Sequence, residues 1–141
     1  LTKRYGFLKE DIKSIGSAKD VFLFFRNRLS DAKQEHFMIL MLNNRNYIIG
    51  DKLITKGVLD AALIHPREVF KEAIKHSASK IILVHNHPSG DPTPSKEDLD
   101  VTRELMQASE LLGIPVIDHI IIGRDSFWSF QKEEAQKRKK G

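Results

Sequence analysis

Two histidines one residue apart, His85 and His87, stand at the end of the apolar run Ile81-Ile82-Leu83-Val84, and an aspartate, Asp98, follows eleven positions after the second. Two neutral imidazoles and one carboxylate form a three-ligand set for a divalent metal, with a fourth position open to water. That is the composition of a catalytic zinc site rather than of a closed structural one. Residues 81–84 are short, apolar and rich in β-branched types, the pattern of a buried strand. Side chains at i and i+2 of an extended chain point the same way, so His85 and His87 converge if the extended path runs past Val84. Pro88, Ser89-Gly90, Asp91-Pro92 and Pro94 then make a loop dense in turn residues. Ser95 is placed to cap a helix from Lys96 to about Leu112, with Asp98 as its third residue. Cα–Cβ bonds on a helix tilt toward its N-terminus, which aims Asp98 back at the two histidines.

Each residue also has a plainer reading. His-x-His in a polar loop is often solvated surface. An Asp in a first helical turn complements the macrodipole, worth roughly 0.3–1 kcal/mol, and Ser95 can serve as a cap and nothing more. The metal reading rests on the set: two imidazoles on one face, at a strand end, followed by a capped carboxylate.

The elements that must position this set can be read from the rest of the chain. Ser17 caps a helix over Ala18–Leu29, with Asp20 at its third position and an apolar side of Val21, Phe22, Phe24 and Phe25. Residues 37–42 are a strand, Asn43-Asn44-Arg45 a turn and residues 47–55 a second strand, together a hairpin. Pro66 starts a helix that carries Glu68 in its first turn and runs to about Ser77. Gly113 ends the helix that follows the histidines. Val116–Ile122 is a further strand, Gly123-Arg124-Asp125 a turn, and residues 127–130 a last short strand. No internal repeat is present. The order predicts one α/β domain, a mixed and largely antiparallel sheet flanked by helices. Three stretches are expected: a lead-in and helix over residues 1–29, the metal-binding domain over 30–131, and a basic, disordered tail over 132–141. His65 is expected to cap the helix at Pro66 or line a groove, and His76 to lie late in that helix, where a cation is mildly favoured. His119 is expected to support the metal ligands or be structural, its distance from the metal not being legible, and Trp128 with Phe127 and Phe130 to pack in the core or at an edge.

Composition narrows the class. The chain has 141 residues, 40% hydrophobic and 30% charged, enough for a real core. No apolar run approaches the ~20 residues of a membrane span, and no signal-peptide pattern opens the chain, so no membrane partner is expected and a cytoplasmic setting is. Cys is absent, which excludes disulfides, Cys-based zinc sites and zinc deaminases. The first residue is Leu1, as expected of a fragment of something longer. The net charge of +4 is placed unevenly: residues 132–140 hold five basic and two acidic residues, a contribution of +3, which leaves +1 for the remainder. That is no strongly basic nucleic-acid face, although Lys137-Arg138-Lys139-Lys140 could touch phosphate nonspecifically.

The pattern His-x-His-Pro-x6-Ser-x-x-Asp, matched from His85 to Asp98 without a gap, resembles the signature of the JAMM (MPN-type) zinc metalloproteases. The words His-Asn-His-Pro-Ser-Gly-Asp-Pro, Gly-Ile-Pro-Val-Ile-Asp-His (113–119) and Ile-Ile-Gly (121–123) are similar to the RadC branch of that superfamily, a resemblance covering residues 30–131. It implies one zinc ion held by His85, His87 and Asp98, oxyanion stabilisation by Ser95, and a general base at Glu35, ahead of the strand at 37–42. By itself Glu35 reads as a solvated acid. Its neighbour His36 falls on the opposite face and is a poor substitute. Position 86 is Asn where proteases of the wider superfamily have Ser or Thr, which favours the RadC branch. The implied activity is hydrolysis of a peptide or isopeptide bond. The alternative is a DNA-repair-associated nucleic-acid or protein binding module whose metal site does not turn over. The oligomeric state is not legible.

Overall fold

The computed structural model describes residues 12–140, so most of the lead-in expected for residues 1–16 lies outside the described residues. The element order is α1 (Ala18–Leu29), β1 (His36–Leu42), β2 (Ile48–Lys56), a 3₁₀ turn (Ala61–Leu63), α2 (Pro66–Lys75), β3 (Lys80–Asn86), α3 (Lys96–Leu112), β4 (Val116–Ile122), β5 (Phe127–Ser129) and α4 (Phe130–Lys140). The five strands form one sheet in the order β2-β1-β3-β4-β5. Only β3 and β4 run parallel, and α3 makes the crossover between them. The other three pairings are antiparallel, so the expected mixed sheet with flanking helices is the architecture found.

Strand alternation divides the core into two layers. Phe37, Ile39, Met41, Ile81 and Leu83 face α2 and α3 and pack on Val69, Phe70, Val101 and Leu105. Met38, Leu40, Leu42, Ile82, Val84, Ile120 and Ile122 face α1 and pack on Val21, Phe22 and Phe25. A strand buried on both faces reads as a continuous apolar run, and β1 and β3 do. Helix α1 thus belongs to the same core as the sheet rather than to a separate lead-in.

Two corrections concern helix ends. Ser17 occupies the N-cap of α1, but its side chain makes no capping bond; Asp20 reaches back past it and accepts the Gly16 N–H at 2.7 Å. The basic tail expected to be disordered is helix α4, continuing directly from β5, which ends at Ser129 rather than Phe130. Its physical cause is a well-satisfied N-terminus. The Ser129 hydroxyl accepts the Lys132 N–H at 3.2 Å. The half-buried Asp118 carboxylate, from β4, accepts the Ser129 hydroxyl at 2.8 Å and the Gln131 N–H at 3.1 Å. An anion against the first turn and a run of strong helix formers hold the segment helical.

Candidate metal centre

Strand β3 carries His85 at its end, and the extended path continues one residue further: the His87 N–H donates to the Ile122 carbonyl at 3.1 Å. The two imidazoles therefore fall on one side, with ring centroids 5.1 Å apart. The chain then turns, with Gly90 at φ 90° and its N–H donating to the His87 carbonyl at 2.9 Å. The turn is braced from outside, where the Gly90 carbonyl accepts the Arg124 N–H at 3.0 Å. Helix α3 begins with a reciprocal capping box: the Ser95 hydroxyl accepts the Asp98 N–H at 3.1 Å and the Asp98 carboxylate accepts the Ser95 N–H at 2.7 Å.

Asp98 is fully buried. Its Oδ1 lies 3.0 Å from His85 Nδ1 and its Oδ2 lies 3.0 Å from His87 Nε2. Glu35, just ahead of β1, brings Oε1 to 2.9 Å from His85 Nε2. Among the described residues, Glu35, His85 and His87 form a group whose ligand atoms all lie within 4.8 Å of one another. Asp98 lies outside that group: it meets the Nδ1 side of His85 and the Nε2 of His87, while Glu35 faces His85 from its Nε2 side. Ser95 caps the helix that carries Asp98. Its capping bond uses an oxygen lone pair and leaves the hydroxyl proton free to donate. His36 takes no part: its Nδ1 lies 2.9 Å from the Gln34 carbonyl.

Charge and hydrogen bonding shape each group. Burial would raise the Asp98 pKa, but the His85 and His87 imidazoles and the Ser95 N–H more than offset it, holding the carboxyl well below its usual range. Burial would lower the His87 pKa, yet the Asp98 carboxylate and the Asp91 carbonyl, 3.0 Å from Nδ1, hold it above 6.5. A carbonyl only accepts, so Nδ1 carries the proton and Nε2 is the nitrogen turned toward Asp98. A ligating histidine usually has its other nitrogen tied in this way.

His85 is different. Both of its ring nitrogens and Asp98 Oδ1 are buried with no hydrogen-bond partner, although each nitrogen has a carboxylate oxygen within 3.0 Å. The atoms are close but misaligned for bonding to one another. Unpartnered polar atoms at such depth are costly. Buried nitrogens and carboxylate oxygens crowded together without bonds are relieved by a cation, and imidazole with carboxylate suits zinc or a similar divalent ion.

Two further residues, whose placement the sequence did not fix, bear on the site. His119, on β4, is fully buried with its ring 6.4 Å from that of His85. Its Nδ1 meets the Thr102 hydroxyl at 2.5 Å, and that hydroxyl donates to the Asp98 carbonyl at 2.7 Å. Burial, reinforced by repulsion from His85, pushes the His119 pKa down to about 3, so the ring is neutral. Asp118-His119 was visible in the sequence, but only the parallel β3–β4 register brings His119 to the centre. The other is Asn86, between the two histidines, whose side chain turns to β1. Of the remaining histidines, His65 stands at the N-cap of α2 without a side-chain bond and His76 at its C-cap, as structural residues.

The family model described as a RadC-like JAB domain matches residues 15–136, which takes in α1 and most of α4. A UPF0758 protein of Geotalea uraniireducens is 49% identical over 131 residues, covering 92% of this chain and 58% of that protein. One from Staphylococcus haemolyticus is 51% identical over 124 residues, covering 88% and 54%, and one from Methanosarcina mazei is 43% identical over 127 residues, covering 90% and 56%. The chain thus spans a little over half the length of these relatives. With its histidine pair, capped aspartate and mixed sheet all inside the matched region, the chain belongs to the RadC-like JAB domain family.

Proposed function

We propose that this domain is a metal-dependent hydrolase that cleaves a peptide or isopeptide bond, with zinc as the metal and a cytoplasmic setting. The observation that supports it is the buried His85 ring, whose unpartnered Nδ1 lies 3.0 Å from the unpartnered Asp98 Oδ1 and whose unpartnered Nε2 lies 2.9 Å from Glu35 Oε1. His85, His87 and Asp98 are the ligands in this reading and Glu35 stands beside them. Asp98 is favoured over Glu35 as ligand because it is rigidly capped and almost wholly buried, whereas the Glu35 side chain keeps 18% of its surface exposed. A metal bound there supplies a Lewis acid and makes water a nucleophile near neutral pH.

The chain's own residues do the rest. Glu35, partly open to solvent, accepts the proton of the attacking water as its oxygen bonds to the carbonyl carbon. It returns that proton to the leaving nitrogen as the C–N bond breaks. The free hydroxyl proton of Ser95 donates to the developing oxyanion, where loss of one such donor costs about 10²–10³ in rate. The Asp91 carbonyl keeps His87 in one tautomer, and the two imidazoles together with the Ser95 N–H keep Asp98 ionised. The test is elemental analysis of protein purified without chelator, followed by a screen of peptide and isopeptide substrates with Glu35→Gln as control. One zinc per chain and turnover that Glu35→Gln abolishes support the reading. A wild-type chain that takes up no added zinc refutes it.

A further inference from the structure

The ladder between β1 and β3 stops at the pair Phe37 with His85. One step beyond, where His36 and Asn86 would be paired, the Asn86 side chain takes over. Its Oδ1 accepts the His36 N–H at 2.6 Å and its Nδ2 donates to the Gln34 carbonyl at 3.1 Å. The backbone N–H can only donate and the carbonyl can only accept, so the amide has one orientation. Asn86 is 1% exposed, and both ends of its amide are satisfied. The two bonds grip the peptide groups on either side of Glu35. On the opposite edge the Glu35 carbonyl accepts the Gly57 N–H at 2.9 Å. The strands part here because β3 continues along β4, through the bond from His87 N–H to Ile122. A side chain is what spans the gap. A hydroxyl at this position would offer a shorter reach and could not hold both peptide groups at these distances.

We infer that Asn86 is a positioning residue: with its neighbours turned to the metal centre, it fixes the backbone of Glu35 and thereby the carboxylate beside His85. The inference rests on the proposed role of Glu35 and adds a device that couples strand β3 to the segment carrying the base. Its test uses the full chain and cobalt(II) as probe, comparing wild type with Glu35→Gln, Asn86→Leu and Asn86→Ser. The readouts are cobalt per chain, the visible absorption of the bound ion, and hydrogen exchange at the His36 amide. All four proteins are expected to bind one cobalt. Glu35→Gln changes the absorption band, Asn86→Leu changes it in the same direction, and Asn86→Ser lies between. In both Asn86 variants the His36 amide exchanges at least tenfold faster.

An Asn86→Leu spectrum that superimposes on wild type while Glu35→Gln shifts overturns the inference and leaves the role of Glu35 standing. A Glu35→Gln spectrum that superimposes on wild type removes Glu35 from the metal's surroundings, and the inference falls with it. If Asn86→Leu fails to fold, Asn86→Ser decides. Loss of cobalt binding in a folded Asn86→Ser protein would assign the residue to the scaffold instead.

Discussion

Asp98 and Glu35 stand at nearly equal distance from His85, 3.0 and 2.9 Å, so replacing one carboxylate at a time decides which binds the metal. Asp98→Asn keeps an oxygen to accept the Ser95 N–H, so the cap of α3 survives and the metal-free variant should lie within about 2 kcal/mol of wild type. Zinc binding should not survive so well. Loss of a group that merely orients a ligand costs about 10–100-fold in metal affinity, and loss of a direct ligand must exceed that, or more than about 2.7 kcal/mol. Glu35→Gln, as the neighbour of a ligand, should cost no more than the same 10–100-fold. Chelator competition at neutral pH gives the affinities. Thermal unfolding gives an independent reading: zinc at about 100 times Kd adds about 2.7 kcal/mol to the wild type, or about 8 °C for a chain of this size. At the same zinc concentration that shift should all but vanish in Asp98→Asn and fall to about 1–4 °C in Glu35→Gln, if it loses about 10–100-fold in affinity. The opposite order, with Glu35→Gln the more damaging, would refute the assignment and make Glu35, His85 and His87 the ligand set.

Four further outcomes are expected. In the metal-free protein His87 holds its proton above pH 6.5, and the metal must displace that proton, so zinc affinity should fall about tenfold per pH unit once pH drops below the raised value; competition titrations at pH 6 and 8 check it. His119 is neutral when folded, with its pKa near 3, and titrates at about 6.5 when unfolded. The unfolded chain therefore binds the extra proton, and stability present above 6.5 is lost as pH falls, by about 2 kcal/mol at pH 5. Urea unfolding of metal-free wild type and His119→Phe at pH 7.5 and 5 should show that loss in wild type alone. A Cβ at Gly123 would meet the Gly90 carbonyl at 2.5 Å and Pro92 Cδ at 2.9 Å, so Gly123→Ala should cost about 1–3 kcal/mol and weaken zinc binding through the displaced Asp91 carbonyl, both readable by zinc-dependent thermal unfolding. Any DNA binding should be steeply salt-dependent and should disappear when residues 132–141 are removed, as filter binding at two salt concentrations would show; binding that survives the deletion would place a nucleic-acid face on the folded domain.

The sequence was most legible where local and tertiary demands agree. Lys96–Leu112 and Val116–Ile122 carry the bounds expected of them, because Ser95 and Gly113, the latter at φ 70°, punctuate the helix and a β-branched run follows. The approach of His85, His87 and Asp98 was legible for the same reason: strand alternation and the helical tilt of Cβ both act within fourteen residues. Glu35 was not legible from local pattern, since nothing near it says which strand will lie beside β1; only the family resemblance pointed to it. Helix α4 was misread because the basic run at its end looks like a solvated terminus. The cue was Ser129 three residues before Lys132, followed by good helix formers, but the carboxylate that completes this cap comes from Asp118, a contact no local window contains. The nearness of His119 to the centre was hidden on the same ground.

The location of the centre follows from the topology more than from any one residue. A parallel pair needs a crossover, and here α3 supplies it between β3 and β4. The crossover places the carboxyl end of β3 and the amino end of α3 next to each other, joined by a loop. In sheets of this kind the crevice outside the carboxyl ends of parallel strands is where ligands bind. The strand end presents His85 and His87, nitrogen donors on a rigid edge. The helix start stabilises a negative charge through its free N–H groups and dipole, which is why a buried, ionised Asp98 is tolerable there and why Ser95 N–H reaches it at 2.7 Å. An aspartate equally buried at the carboxyl end of a helix would be pushed toward its neutral form and become a poor ligand. The one component from outside this unit is Glu35, carried just ahead of the antiparallel neighbour β1, and it is the component for which a separate clamp, Asn86, is present.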